Sequence, residues 1–485
     1  MQFYIIWVLT YFCGEISYIT KAISAVLQLG VTMDFAIFLY HSYQAQRKQT
    51  ANIEEAMSIA IANTLISVLG SSLTTIAGFL ALCSMNLTLG KDIGLVMAKG
   101  VLLGVICVVT ILPAMLLECN KYIEKTRHRE ILPKFIKIRD FVINHYKLIL
   151  IIFVILIPIA FYGYANTNVY YNLDKSLPTS LPGVAANREL KDKFHMVSME
   201  VVLINKDIPD YRVNEMLNRI EQLDGIEWSM GYGKIAGTGL PKEMLPDDLN
   251  SIFENDKYQM VLINSSYEMA TDELNNQIMI VNDIIKEYDS QAILAGEGPL
   301  MRDLVTISDH DFNSVNIVSI GIIFLLMFAV LKSISLPVIL ILVIEFAIAV
   351  NMGIPYFTGT TLPFVASIVI GTIQLGATID YAILITTKYI NLRKEGKDKE
   401  LSIKEALGSS INSIVVSGLC FFGATFGVGA YSKIEMIGSL CTLMSRGAII
   451  SMFVVIMVLP AFLMLGDKVI CYTTLGMKSK KERMK

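Results

Sequence analysis

Two carboxylates, Asp34 and Asp380, each stand well inside an otherwise apolar stretch. An ionised side chain at the centre of a bilayer costs about 2.5–3.5 kcal/mol on insertion scales, so an acid at that depth is a functional candidate by default. The chemistry open to a sheltered carboxylate is to bind a proton, which removes the charge, and to release it when its surroundings change. A structural acid at a helix contact is the plainer reading, but it must then have arisen twice at matching positions.

The positions match because the chain repeats itself, a feature to seek before any motif. Gln28–Ile37 (QLGVTMDFAI) aligns with Gln374–Ile383 (QLGATIDYAI), 346 residues on, with seven of ten positions identical. Glu55-Ala56 matches Glu405-Ala406, Lys99-Gly100 matches Arg446-Gly447, and Leu112-Pro113-Ala114 matches Leu459-Pro460-Ala461. Upstream, Tyr11-Phe12-Cys13-Gly14 matches Tyr356-Phe357-Thr358-Gly359. Gly30 and Gly376 precede the acids by four residues, on the same helical face, where a neighbouring helix can approach closely. Gln28, Thr32, Gln374 and Thr378 offer polar groups across that contact.

One position breaks the symmetry. Tyr381 follows Asp380, whereas Phe35 follows Asp34. With the two helices facing each other about a pseudo-twofold axis, Tyr381 reaches Asp34 and Phe35 offers Asp380 no hydroxyl, so the acids titrate as an unequal, coupled pair. Lys99 and Arg446 are repeat-equivalent cations, read either as counter-charges or ligand-head contacts, or as side chains snorkelling to the surface. Glu345 is a further acid at depth. Ser67, Ser71, Thr74 and Gly78, with Ser410, Ser413 and Ser417, form small-polar stripes best read as tight helix packing.

Composition sets the frame for these residues. The 485-residue chain is 54% hydrophobic and 17% charged; soluble domains are about 25% charged. Nine stretches reach the roughly 20 apolar residues that span a bilayer: 18–43, 62–85, 92–118, 146–165, 314–332, 335–356, 362–390, 410–430 and 436–466. Basic residues crowd the loop 119–145 (Lys121, Lys125, Arg127, Arg129, Lys134, Lys137, Arg139), the loop 391–409, and the tail 467–485. Strict alternation puts all three on one face, the cytoplasmic one by the positive-inside rule. The two Asp-bearing spans then run the same way, which makes the repeat parallel.

Residues 166–312 fall on the other face. They hold 12 Lys+Arg against 25 Asp+Glu and none of the seven cysteines, so this acidic block has no use for disulfides. Two strand–helix–strand units are expected within it: Met199–Asn205, Asp210–Leu223 and Ile226–Gly231, then Tyr258–Asn264, Ala270–Tyr288 and Gln291–Gly296. That order suggests a ferredoxin-like α+β domain. The chain therefore reads as an incomplete first helix group (1–118), a basic loop, a lone span (146–165), the inserted outer domain, and a second helix group of five spans (313–466). The first copy of the repeat lacks its lead span, its outer domain and one and a half further spans. The expectation is a carboxyl-terminal portion of a longer protein, with the remainder supplied by a separate chain or an upstream reading frame.

No phosphate-binding glycine loop and no zinc-ligand spacing such as CxxC or HExxH occurs. Neither a cofactor nor nucleic-acid binding is expected, and the proton gradient is the energy source that two buried acids suggest. A potential of 100 mV supplies about 2.3 kcal/mol per charge moved.

The duplicated Gly30–Phe35 and Gly376–Tyr381 motifs, with Ala98-Lys99-Gly100, Leu112-Pro113-Ala114 and their second copies, resemble the resistance–nodulation–division (RND) superfamily and, within it, the MMPL-type transporters. The resemblance extends over nearly the whole chain. It implies a twelve-span fold with two outer porter domains, and proton-driven export of lipids, lipid-like molecules or hydrophobic drugs across the cell membrane, not an enzyme activity. It assigns the proton relay to Asp34, Asp380 and Tyr381, with Phe35 departing from the pattern. The same span group resembles a sterol-sensing domain. The competing readings are a non-transporting lipid-sensing or scaffold module, and an inactive fragment of a split gene.

Overall fold

The computed structural model describes residues 16–126, 135–171, 177–236 and 252–477. The apolar opening run, the Tyr11–Gly14 half of the upstream match, Arg127, Arg129, Lys134 and the tail basic residues Lys478, Lys480, Lys481, Arg483 and Lys485 lie outside the described residues. Two compact units are present, one made of 1–169 with 310–485 and the other of 170–309.

Among the described residues, nine helices are long and apolar enough to cross a membrane. They are α1 (Tyr18–Arg47), α2 (Ile53–Ala81, with its membrane-length run at Ser67–Ser84), α3 (Thr88–Glu118) and α4 (Tyr146–Ala165), followed after the second unit by α8 (Glu297–Leu331), α9 (Ser335–Thr358), α10 (Phe364–Lys394), α11 (Lys399–Tyr431) and α12 (Glu435–Thr473). Each of the nine apolar stretches read from the sequence overlaps one of them, with 62–85, 314–332 and 362–390 running a few residues past a helix end. The loop 119–145 is less irregular than its charge suggests, carrying the short helices Asn120–Lys125 and Ile136–Asn144.

Local chemistry sets the helix starts. Ser17, Asn52 and Asp398 each accept a hydrogen bond from a backbone N–H of the first turn of α1, α2 and α11, satisfying donors that a helix end leaves orphaned. Glu54, Glu55 and Glu400 add negative charge at two of these N-termini, where the macrodipole favours it.

Burial then sorts the spans. Helix α10 is buried along 89% of its apolar window and α4 along only 22%. The exposed Leu148, Ile151, Val154 and Ile155 of α4 form an outer surface that suits acyl chains. Helix α10 packs against α2, α9, α11 and α12, while α1 packs against α2, α3 and α11. Each Asp-bearing helix thus touches the small-polar helix of the other copy.

The unit 170–309 opens with helix α5 (Pro182–Phe194). Its sheet comprises β1 (Ser198–Asn205), β2 (Ile226–Met230), β3 (Tyr258–Ser265) and β4 (Ile293–Gly296), with α6 (Asp210–Ile220) and α7 (Asp272–Tyr288) between the strands of each unit. The strand order is β2-β3-β1-β4 and every pairing is antiparallel. Strand β1 alternates buried and half-buried residues, as a sheet with one covered face requires. Val202, Ile204, Val261 and Ile263 meet Val213, Leu217, Val281 and Ile285 in one core. All six elements lie where the sequence places them; α5 has an exposed, weakly apolar sequence and was not foreseen.

Candidate functional site

Asp34 on α1 and Asp380 on α10 are both 1% exposed. They lie within electrostatic reach of each other. Among the described residues Asp34 Oδ1 and Asp380 Oδ2 have no hydrogen-bond partner. In a site sealed from water such an oxygen is costly unless it carries or receives a proton.

Hydroxyl groups surround both acids. Tyr381 and Ser417 are the side chains beside the Asp34 carboxyl. Ser417 Oγ donates to the Tyr381 hydroxyl at 3.1 Å, so the α11 serine and the α10 tyrosine form one polar unit facing α1. The Asp380 carboxyl is flanked by Thr75 and Ser71 of α2, with Thr75 Oγ1 3.4 Å from Asp380 Oδ1. The structure therefore brings together Asp34, Asp380 and Tyr381. Ser71 and Ser417, read from sequence as packing residues, join them. Thr75 was missed, although it lies four residues after Ser71 on the same helical face.

The two motif glycines differ in how closely a neighbour approaches them. A Cβ on Gly30 would stand 2.5 Å from the Phe421 ring of α11, and one on Gly376 would stand 3.6 Å from Thr75 Cγ2 of α2. The glutamines work away from the acids. Gln28 Nε2 donates to Gly100 O at 3.3 Å, whereas Thr32 turns back onto Gln28 O of its own helix at 2.6 Å. Gln374 Nε2 and Thr378 Oγ1 both meet Ser451 Oγ of α12, at 3.0 and 2.8 Å.

Arg446 belongs to this second network. Its Nε and Nη2 donate to Asn351 Oδ1 and Asn351 O at 2.8 and 2.7 Å, and Asn351 Nδ2 donates to Gln374 Oε1 at 2.8 Å. The arginine thus braces the wall behind α10. Lys99, its repeat counterpart, has an interaction of its own. Glu345 is near enough to Tyr164 of α4 to act on it electrostatically.

Among the described residues no group of three or more His, Cys, Asp or Glu side chains is arranged to hold a metal ion. The arrangement offers instead two mutually sensitive carboxyls, each beside two hydroxyls, on helices held by separate networks.

The comparisons with known proteins agree with this architecture. A Methanocaldococcus jannaschii protein named as a membrane protein, MJ1562, is 33% identical over 97 residues, 20% of this chain and 25% of its own length. A Mycobacterium tuberculosis protein named as a transport protein, MmpL1, is 22% identical over 228 residues, 44% of this chain and 23% of its own. A Streptomyces coelicolor protein named as a membrane protein, ActII-3, is 31% identical over 104 residues, 21% of this chain and 15% of its own. The matches thus span a quarter or less of those relatives. The profile of the MMPL family matches residues 3–131 and 249–483, well over half of the sequence. With nine apolar helices among its described residues, the chain is a multi-pass membrane protein that belongs to the MMPL family.

Proposed function

We propose that the chain takes part in proton-driven export of lipids, lipid-like molecules or hydrophobic compounds across the cell membrane, with Asp34, Asp380 and Tyr381 as the relay. The observation that carries this reading is the pair of sealed, repeat-equivalent carboxyls within electrostatic reach of each other. A proton on one acid relieves the repulsion felt by the other. Loading and release at the two sites are therefore linked, and each state favours a different packing of α1 and α10. Membership of the MMPL family and likeness to a protein named as a transporter support the transport class.

In this reading the basic loops and tail are cytoplasmic and the unit 170–309 is extracytoplasmic. Its β2-β3-β1-β4 order with two helices supports a ferredoxin-like porter domain. The test is export of a fluorescent lipophilic dye from cells expressing the chain, with and without an uncoupler. Asp380→Asn is expected to abolish the uncoupler-sensitive part at unchanged expression; undiminished export in that variant defeats the relay.

A further inference from the structure

The offset of 346 residues that relates Asp34 to Asp380 also relates Phe35 to Tyr381, Ser71 to Ser417 and Thr75 to Phe421. The packing respects it: Phe421 covers Gly30 and Thr75 covers Gly376. The serine is common to both copies, and each acid has one beside it. The other two positions have exchanged chemistry. Around Asp34 the pair is Tyr381 and Phe421, with the hydroxyl on the residue after the acid. In the other copy the pair is Phe35 and Thr75, with the hydroxyl on α2. Every acid keeps two neighbouring hydroxyls although one tyrosine is absent.

We propose that Thr75 replaces the missing tyrosine hydroxyl, as the positioning residue that hydrogen-bonds Asp380. Its oxygen has two uses. Toward an ionised Asp380 the O–H donates to Oδ1 across 3.4 Å. When Asp380 is protonated, Thr75 Oγ1 accepts from the acid while its own hydrogen goes to Ser71 O at 3.0 Å. No bond is made or broken in either state apart from the proton already on the acid. A phenylalanine at this position, as in the other copy, can do neither.

The inference rests on the relay reading, and infrared difference spectroscopy of the purified full-length chain separates the two. The protonated carboxyl C=O band that disappears in Asp380→Asn belongs to Asp380. Thr75→Val, which removes the hydroxyl and little volume, should move that band to higher frequency. Thr75→Ser should leave it in place, and adding Phe35→Tyr to Thr75→Val should return it toward its original position. A packing role for Thr75 predicts no such movement, because valine fills the same space. A band indifferent to Thr75→Val overturns the inference and leaves the relay standing. If no carboxyl band is lost in Asp380→Asn at any pH, the relay falls, and the inference with it. Should Thr75→Val fail to accumulate, Thr75→Ala decides by the same band: a move to higher frequency bears the inference out, and an unmoved band overturns it.

Discussion

The Phe421 ring occupies the space where a side chain on Gly30 would begin, with ring carbons 2.5 and 2.9 Å from an ideal Cβ. The repeat-equivalent pair is looser, since a Cβ on Gly376 would meet Thr75 only at ordinary contact distance, 3.6 Å. Two glycines in one motif therefore have different tolerances. Gly30→Ala should cost about 1–3 kcal/mol, the usual penalty of overpacking. Gly376→Ala should be neutral or gain up to about 1 kcal/mol from helix propensity. Thermal unfolding of both variants in detergent measures the contrast, and equal effects would show that the two contacts are the same.

This contrast marks how far the sequence could be read. The nine spans, the repeat and the two acids are legible because bilayer length and charge cost are properties of single segments. Six sheet and helix elements of the unit 170–309 are legible from periodicity. The site's second layer is not. Nothing local to Thr75 marks it as the neighbour of Asp380, because the residue it stands beside is 305 positions away. The indirect signals are its place one turn after Ser71 and the repeat register, which opposes it to Phe421. The partner of Arg446 is hidden for a related reason. Its partner Asn351 lies on α9, and a single apolar helix gives no hint of which neighbour its asparagine will face.

The brace formed by Arg446 depends on a planar fork, with Nε on the Asn351 side chain and Nη2 on its backbone. Lysine keeps the charge and loses that geometry. Arg446→Lys should therefore destabilise the protein by about 1–3 kcal/mol, measured by thermal unfolding. A fully stable Arg446→Lys would mean that charge alone is what the site requires.

A second pair of repeat-equivalent clamps ties each Asp-bearing helix to its neighbour near the basic loops. In the second copy Arg393 donates through Nε and Nη2 to the two oxygens of Asp467, both at 2.9 Å, and Tyr389 donates to the same carboxylate. In the first copy Tyr43 donates to Asn120 Oδ1 at 3.1 Å and Arg47 to Glu124 at 3.1 Å. The acid has moved by one helical turn, and with it from the interior to the surface: the Asp467 side chain is 10% exposed and that of Glu124 58%. Removing one partner of a buried pair strands the other charge and costs about 3–5 kcal/mol. An exposed pair is worth about 1 kcal/mol or less. Asp467→Asn should lower the unfolding temperature sharply and Glu124→Gln hardly at all; comparable losses would refute the difference in burial as the cause.

The unit 170–309 holds an acid of its own. Glu200 on β1 is fully buried, and among the described residues neither of its carboxylate oxygens has a hydrogen-bond partner. Burial raises its carboxyl from 4.5 to about 7. The native state therefore holds this proton more tightly than the unfolded chain does. Below pH about 4.5 both states are protonated, and the group leaves stability unchanged. Between that point and pH about 7 the unfolded chain ionises first, so stability falls as pH rises. Above pH 7 the loss is constant, roughly 3 kcal/mol. Glu200→Gln removes the titration and should stabilise the unit at pH 8 relative to wild type by more than it does at pH 4.5. Native-state hydrogen exchange of β1, β3 and β4 in the full chain reads the difference. A gap between variant and wild type that stays constant from pH 4.5 to 8 would show that Glu200 keeps its ordinary acidity in the fold, and that its oxygens find partners there after all.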